Sequence, residues 1–237
     1  MELTAPLELS PHDPTLSRTA SGYLNRADRT EAGGVARRPQ PIPDRILAAA
    51  TRLAAARPWG GITLGEIAAA AKVTLAQLHE AYGSKTAIVA ALMARADARV
   101  LGGIDPSALA EPPRDRLLDA LLRRLDSLAR DKKAIASIMR DTAIDPLSAL
   151  CLAPAFLNSM AWTLEAAGIG SSGLAGRIRV KGLAAIYLGA LCVWLRDDSP
   201  DQGKTMAFLD RRLRIAERFA AYLPGARRAA AADGGEP

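Results

Sequence analysis

Apolar positions fall at helical spacing from Ile46 onward. Ile46, Leu47, Ala50, Leu53 and Ala54 recur three and four apart and predict an amphipathic helix that begins at Pro43-Asp44. Pro58 and the Gly60-Gly61 pair stop it. Thr63 with Glu66 three places on has the capping-box pattern. The helix it starts turns Leu64, Ile67 and Ala68 inward and ends near Lys72. Thr74 opens a second short helix, to about Tyr82, which Gly83 breaks. Ser84 caps a longer helix from Lys85, with Ile88, Val89, Leu92 and Met93 on its inner face, and Gly102-Gly103 ends it.

Beyond Pro112-Pro113 the period continues as an array of helices. They are expected over residues 114–129, 132–141, 155–167, 174–195 and 203–223, with Pro146 and Pro154 punctuating the stretch before the third. The helix over 174–195 is apolar on nearly every side, and such a helix must be covered. One reading covers it with its two-fold copy in a homodimer. The interface is then Leu183, Ile186, Tyr187, Ala190, Leu191 and Trp194, joined by Phe208, Leu209 and Leu213. The small residues Gly182, Ala185, Gly189 and Ala190 would permit close approach. The other reading covers it with the rest of the chain. Residues 1–43 hold six of the fifteen prolines and keep no apolar period beyond a turn, so a disordered tail is expected there. Four segments result: the tail 1–43, a head 44–103, a helical body 104–223 and a second tail 224–237.

Composition agrees with an all-α chain. Hydrophobic residues make up 49% of the 237, enough for a sizeable core, and aromatics only 4%, with the helix formers Ala and Leu dominant. The net charge is +6 and the isoelectric point about 9.7, which favours a polyanionic partner without identifying it. Cys151 and Cys192 lie in apolar surroundings outside any paired motif, as buried free thiols of a reducing cytoplasm would. With His12 and His79 the only histidines, no metal site of the usual spacing and no catalytic triad is expected. No cofactor is implied, and no enzyme. The uncharged stretch 182–195, fourteen residues, is too short to span a bilayer about 30 Å thick.

The informative constellation is Ile62 to Leu92. A capped helix, the turn Ala71-Lys72-Val73-Thr74 and a second short helix make a helix-turn-helix, whose second helix presents its N-terminal side chains to the major groove. This stretch resembles the N-terminal domain of TetR/AcrR-type repressors. Thr63, Ile67, Ala68, Ala71, Val73, Leu78, Ser84 and Lys85 match the family pattern. Thr74 stands for its Ser, Tyr82 for its Phe and Ile88 for its Leu. The family's turn glycine is Lys72 here, its recognition-helix glycine is Ala76, and its phosphate-contacting Tyr is His79. Glu80 adds a negative charge, and the short helix has no Arg or Lys. The resemblance implies a TetR-like fold, a three-helix head on a ligand-binding and dimerisation body. It further implies a homodimeric repressor on a double-stranded DNA operator, released by a hydrophobic small-molecule effector. Contact residues would be Thr63, Thr74, Leu75, Ala76, Gln77, His79, Tyr82 and Lys85, with Gln77 on a base edge and Lys85 on phosphate. A pocket in the body would draw on Met139, Phe156, Met160, Trp162 and Trp194.

A second resemblance covers Ala184 to Leu213. The Tyr187 helix, the Asp198-Ser199-Pro200-Asp201 turn and the segment Phe208 to Arg212 are similar to the C-terminal part of the ubiquinone-biosynthesis accessory proteins. That family implies the alternative function of a lipid carrier that binds isoprenoids instead of DNA. Two short motifs are decoys. Gly168 to Gly173 spells a dinucleotide-binding pattern but follows a helix, and Gly203-Lys204-Thr205 lacks the glycine cradle of a phosphate loop.

Overall fold

The computed structural model describes residues 40–104 and 110–220, which are helical with no strand among them. The tails expected over 1–43 and 224–237 lie outside the described residues, except that 40–43 already lead into the first helix. That helix, α1 (Ile42–Ala56), starts slightly earlier than its apolar period, with Pro in its first turn, where a missing N–H costs nothing. In α2 (Leu64–Ala71) Thr63 and Glu66 form the full reciprocal capping box. Helix α3 (Leu75–Ala81) is also boxed, by Thr74 with Gln77. Ser84 caps α4 (Lys85–Leu101) by accepting the Ala87 N–H.

The body consists of α5 (Pro113–Leu128), a 3-10 turn (Ala129–Asp131), α6 (Lys132–Ile144), α7 (Pro146–Ala166), α8 (Gly173–Trp194) and α9 (Gly203–Ala220). Helix α4 packs chiefly along α7, α1 along α6, and α8 along α9. The first core gathers the inner faces of α1 to α4 and takes in Ala134, Ile138 and Leu152 from α6 and α7, so head and body share apolar packing. The second core lies among α5, α7, α8 and α9. Where α9 crosses α8, Gly189 admits the Phe208 ring, which a Cβ would meet at 2.8 Å.

Three expectations are corrected. Pro154 does not end a helix: α7 runs through it for 21 residues. Asp145 caps the new start by accepting the Leu147 and Ser148 N–H groups, each at 3.2 Å. The bond that Pro154 removes would have gone to the Leu150 carbonyl, whose residue is exposed and can turn to water. Both cysteines are exposed and not buried, because Cys151 and Cys192 fall on the outer stripes of α7 and α8. Finally, the longest uncharged stretch is not 182–195 but 146–164, within α7, a helix long and apolar enough to cross a bilayer by length and composition alone, its most apolar 18 residues having a mean hydropathy of 1.4. Neither decoy motif forms a nucleotide loop: Gly168 to Gly173 joins α7 to α8, and Gly203-Lys204-Thr205 is the first turn of α9. Gly168 takes the left-handed position that closes α7, and Thr205 is buried, its hydroxyl donating to Asp197 at 2.8 Å.

Candidate nucleic-acid interface

The outer face of α3 is built by what holds its inner face. Leu78 is buried in the head core, while Thr74, Leu75, Ala76, Gln77, His79 and Glu80 are exposed on the surrounding face. Leu75 is 59% exposed. The turn before α3 is fixed from α1. Arg45 donates to the Ala71 carbonyl at 2.7 Å and to the Lys72 carbonyl at 2.6 Å, and Arg52 donates to the Ala70 carbonyl at 3.1 Å. These guanidinium groups cap the last carbonyls of α2, where the helix dipole favours positive charge. Sequence reasoning missed both. Their signal is a seven-residue spacing that sets two cations on one face of an otherwise Ala- and Leu-rich helix.

Four of the expected contact residues, Thr63, Thr74, Gln77 and Lys85, have structural work in the head, Thr74 by accepting the Gln77 N–H at 3.1 Å. Gln77 accepts the Thr74 N–H at 3.0 Å through Oε1, leaving its amide NH2 outward. A bidentate adenine contact, which needs both ends of the amide, would require that cap to open. Thr63 is engaged by Glu66, through a 2.8 Å bond from its N–H and another from its hydroxyl. Lys85 points inward: Nζ donates to the Trp59 carbonyl at 2.7 Å and lies 4.7 Å from the Trp59 ring centre. Burial there pulls its pKa below the ordinary lysine value. Tyr82 is half-buried, and burial raises its phenol pKa. Of the other head cations, Arg57 pairs with Glu66 and Arg95 with Asp44. Lys72, exposed at the turn itself, is the cation nearest α3 in sequence.

The body grips the loop between α1 and α2 from α6. Ser137 accepts the Trp59 N–H at 2.9 Å and donates to the Arg57 carbonyl at 3.2 Å, and Asp141 accepts the Gly60 N–H at 2.5 Å. One turn around the same helix, Ile135, Ile138 and Met139 line a cavity of about 90 Å³ bounded also by α4, α5, α7 and α8. Of the residues expected at a pocket, Met139 and Phe156 line it. Met160 is fully buried in the body core, Trp194 is packed there beneath Lys132, and Trp162 lies half-exposed on the surface.

The expected dimer residues divide in the same way. Leu183, Tyr187, Ala190, Leu191, Trp194, Leu209 and Leu213 are buried in the chain's own core, and Ile186 and Phe208 pack against it. The rest of the chain covers the inner sides of α8, as the second sequence reading had it. What α8 leaves open is a different stripe: Leu174, Ile178, Ala185, Leu188 and Cys192, beside Met206 on α9.

Comparison with known proteins agrees with this geometry. Residues 46–92 match the family model of bacterial regulatory proteins of the tetR family, and residues 179–220 match that of COQ9. The crystal structure of a TetR transcriptional regulator from Nitrosomonas europaea is 26% identical, with a TM-score of 0.61 over 78% of this chain and 100% of that one. A TetR transcriptional regulator from Rhodococcus sp. RHA1 shares the fold at 22% identity, with a TM-score of 0.55 over 73% of this chain and 94% of that one. No curated protein matches the chain. The head is thus a TetR-type helix-turn-helix domain, and the described residues, all α-helical and TetR-like in fold, are similar to COQ9 over 179–220, within α8 and α9.

Proposed function

We propose that the chain is a dimeric DNA-binding transcriptional repressor, acting in the cytoplasm, whose helix α3 enters the major groove. A hydrophobic ligand in the body releases it. The observation that carries this reading is the outer face of α3: it is exposed from Thr74 to Glu80 with Leu78 anchored beneath, and it is rigidly capped at its start. Leu75 and Ala76 suit the methyl of thymine, the outward amide of Gln77 suits a base acceptor, and His79 and Lys72 suit phosphate. Two such heads read half-sites about 34–36 Å apart, which requires a dimer. The open stripe Leu174, Ile178, Ala185, Leu188 and Met206 is the face we assign to it. Ligand entry beside Ile138 and Met139 would move α6, and with it the Ser137 and Asp141 grip on the head.

Fluorescence anisotropy on a labelled duplex tests the DNA contact. The logarithm of affinity should fall with the logarithm of salt, with a shallow slope, since few head cations are free to neutralise phosphate. No binding even at low salt would contradict the reading.

A second reading rests on the COQ9 match over residues 179–220 and on the apolar outer face of α7, where Leu147 and Leu150 are both 70% exposed. In it the protein is an isoprenoid-binding accessory of quinone biosynthesis that does not bind DNA. A polyprenyl lipid carried through purification, found by native mass spectrometry in a chain that ignores DNA, would favour it.

A further inference from the structure

The cavity behind the head has an apolar wall with one polar corner. Among its twelve lining residues, only Arg124 and Tyr187 carry side-chain nitrogen or oxygen. Both side chains are 2% exposed. Arg124 is tied down at one end of its guanidinium: it pairs with Asp97, donates to Ser159 Oγ at 2.7 Å, and Ser159 in turn donates to Asp97 at 2.6 Å. Its Nε–H has no hydrogen-bond partner among the described residues, and neither has the Tyr187 hydroxyl. The guanidinium carbon lies over the Tyr187 ring, 5.2 Å from its centre; burial raises the phenol pKa, and the guanidinium, close to the hydroxyl as well, opposes that rise. Phe156 stacks on the same tyrosine at 6.1 Å.

Two buried, unsatisfied donors on the wall of one apolar cavity are an anomaly in a folded protein, because each loses its hydration with nothing in return. A buried water needs two to four polar partners, and this corner offers only the minimum of two polar side chains. We infer that the cavity is a binding site for a small uncharged molecule, or the head of a longer one, that carries a hydrogen-bond acceptor such as a ketone, ester or ether oxygen. The acceptor takes the Arg124 Nε–H and the Tyr187 O–H, and the apolar remainder lies against Leu92, Met93, Ile138 and Met139. An anion is excluded by the same geometry. Asp97 already neutralises Arg124, so a second carboxylate would be buried beside it without a counter-charge. Size sets a further limit: a cavity of about 150 Å³ holds benzene, so 90 Å³ takes a group of smaller bulk. This deepens the effector part of the proposed function and rests on it only for the consequence on DNA.

The test uses the full-length chain without DNA and three probes of four heavy atoms each: acetone, isobutene and acetate. Binding is read from the methyl resonances of Met93 and Met139. Acetone should saturate the shift at a concentration about tenfold lower than isobutene, the worth of one net hydrogen bond, and acetate should produce none. Tyr187→Phe should bring the two neutral probes to within about twofold of each other. It should also melt no lower than the parent chain, since the hydroxyl it deletes has no partner. The inference is overturned if the hydrocarbon binds as well as the ketone, if acetate binds best, if Tyr187→Phe leaves the preference intact, or if that variant loses stability. Adding saturating acetone to the DNA complex separates the two claims. Binding to the cavity with no release of DNA would leave the site standing and remove only its effector role.

Discussion

Lys72 stands at the turn of the helix-turn-helix with a φ of +56°, in the left-handed region that side chains with a Cβ avoid. Strain of about 1 kcal/mol is tolerated there because Arg45 holds the adjacent carbonyls and the Val73 N–H closes on Ala68 at 3.0 Å. The same residue carries the exposed cation before α3. Lys72→Gly should therefore separate two quantities. The melting temperature should rise, by about 1 kcal/mol in stability, while affinity for duplex DNA falls and its salt slope shrinks by about one unit. Thermal denaturation and a salt titration of binding check the two halves. A variant that binds DNA as the parent does would place the phosphate contact elsewhere. For Lys85 the structure reverses the sequence expectation. Its ammonium satisfies the Trp59 carbonyl, so Lys85→Ala should loosen the head with little specific effect on the salt slope.

At the scale of elements, the caps decide where the head's helices begin, and they have a pH signature. The Glu66 carboxylate accepts the Thr63 N–H and pairs with Arg57, and these contacts hold its pKa near 2, against an ordinary 4.5. A carboxylate depressed in the folded state adds stability that is complete above its unfolded pKa and is lost as the pH falls through the folded one. The parent chain should thus melt above Glu66→Gln by a constant margin at neutral pH, and the margin should narrow between pH 4.5 and 2. A margin that does not change with pH would mean that the charge on Glu66 is irrelevant to the cap. The boundaries of α2, α3 and α4 were legible in Thr63, Thr74 and Ser84 because a cap is a local bond between near neighbours. The course of α7 was not legible: whether Pro154 breaks a helix depends on where the abandoned Leu150 carbonyl finds water, which is a tertiary fact. The Arg124 network was half legible. Arg124 falls in phase with Leu117, Leu121, Leu125 and Leu128 on the inner stripe of α5, and a cation at an apolar phase signals a buried partner. The partner, Asp97, lies on another helix and left no local trace.

For the whole molecule, apolar periodicity reported that α8 is covered but not by what. Ala190 is fully buried within one chain, so Ala190→Glu should prevent folding outright, by burying an unpaired charge at a cost of several kcal/mol. Leu188 is 45% exposed on the open stripe, and Leu188→Glu should leave the fold intact and split the dimer. Light scattering at micromolar concentration should give about twice 25.0 kDa for the parent and 25.0 kDa for Leu188→Glu. A parent chain that scatters as a monomer would contradict the assembly proposed here.

The most direct measurement of the central claim is selection from a random duplex pool at about 100 mM salt, a concentration at which non-specific contacts are weakened. The account predicts an enriched two-fold motif with half-sites about one helical turn apart. Thymine should be preferred where Leu75 lies, a preference that Leu75→Ala should relax at that position alone, by about 1–3 kcal/mol in discrimination. A pool that enriches no motif, or a motif that Leu75→Ala and Gln77→Ala both leave unchanged, would contradict the reading of α3 as the helix that reads DNA.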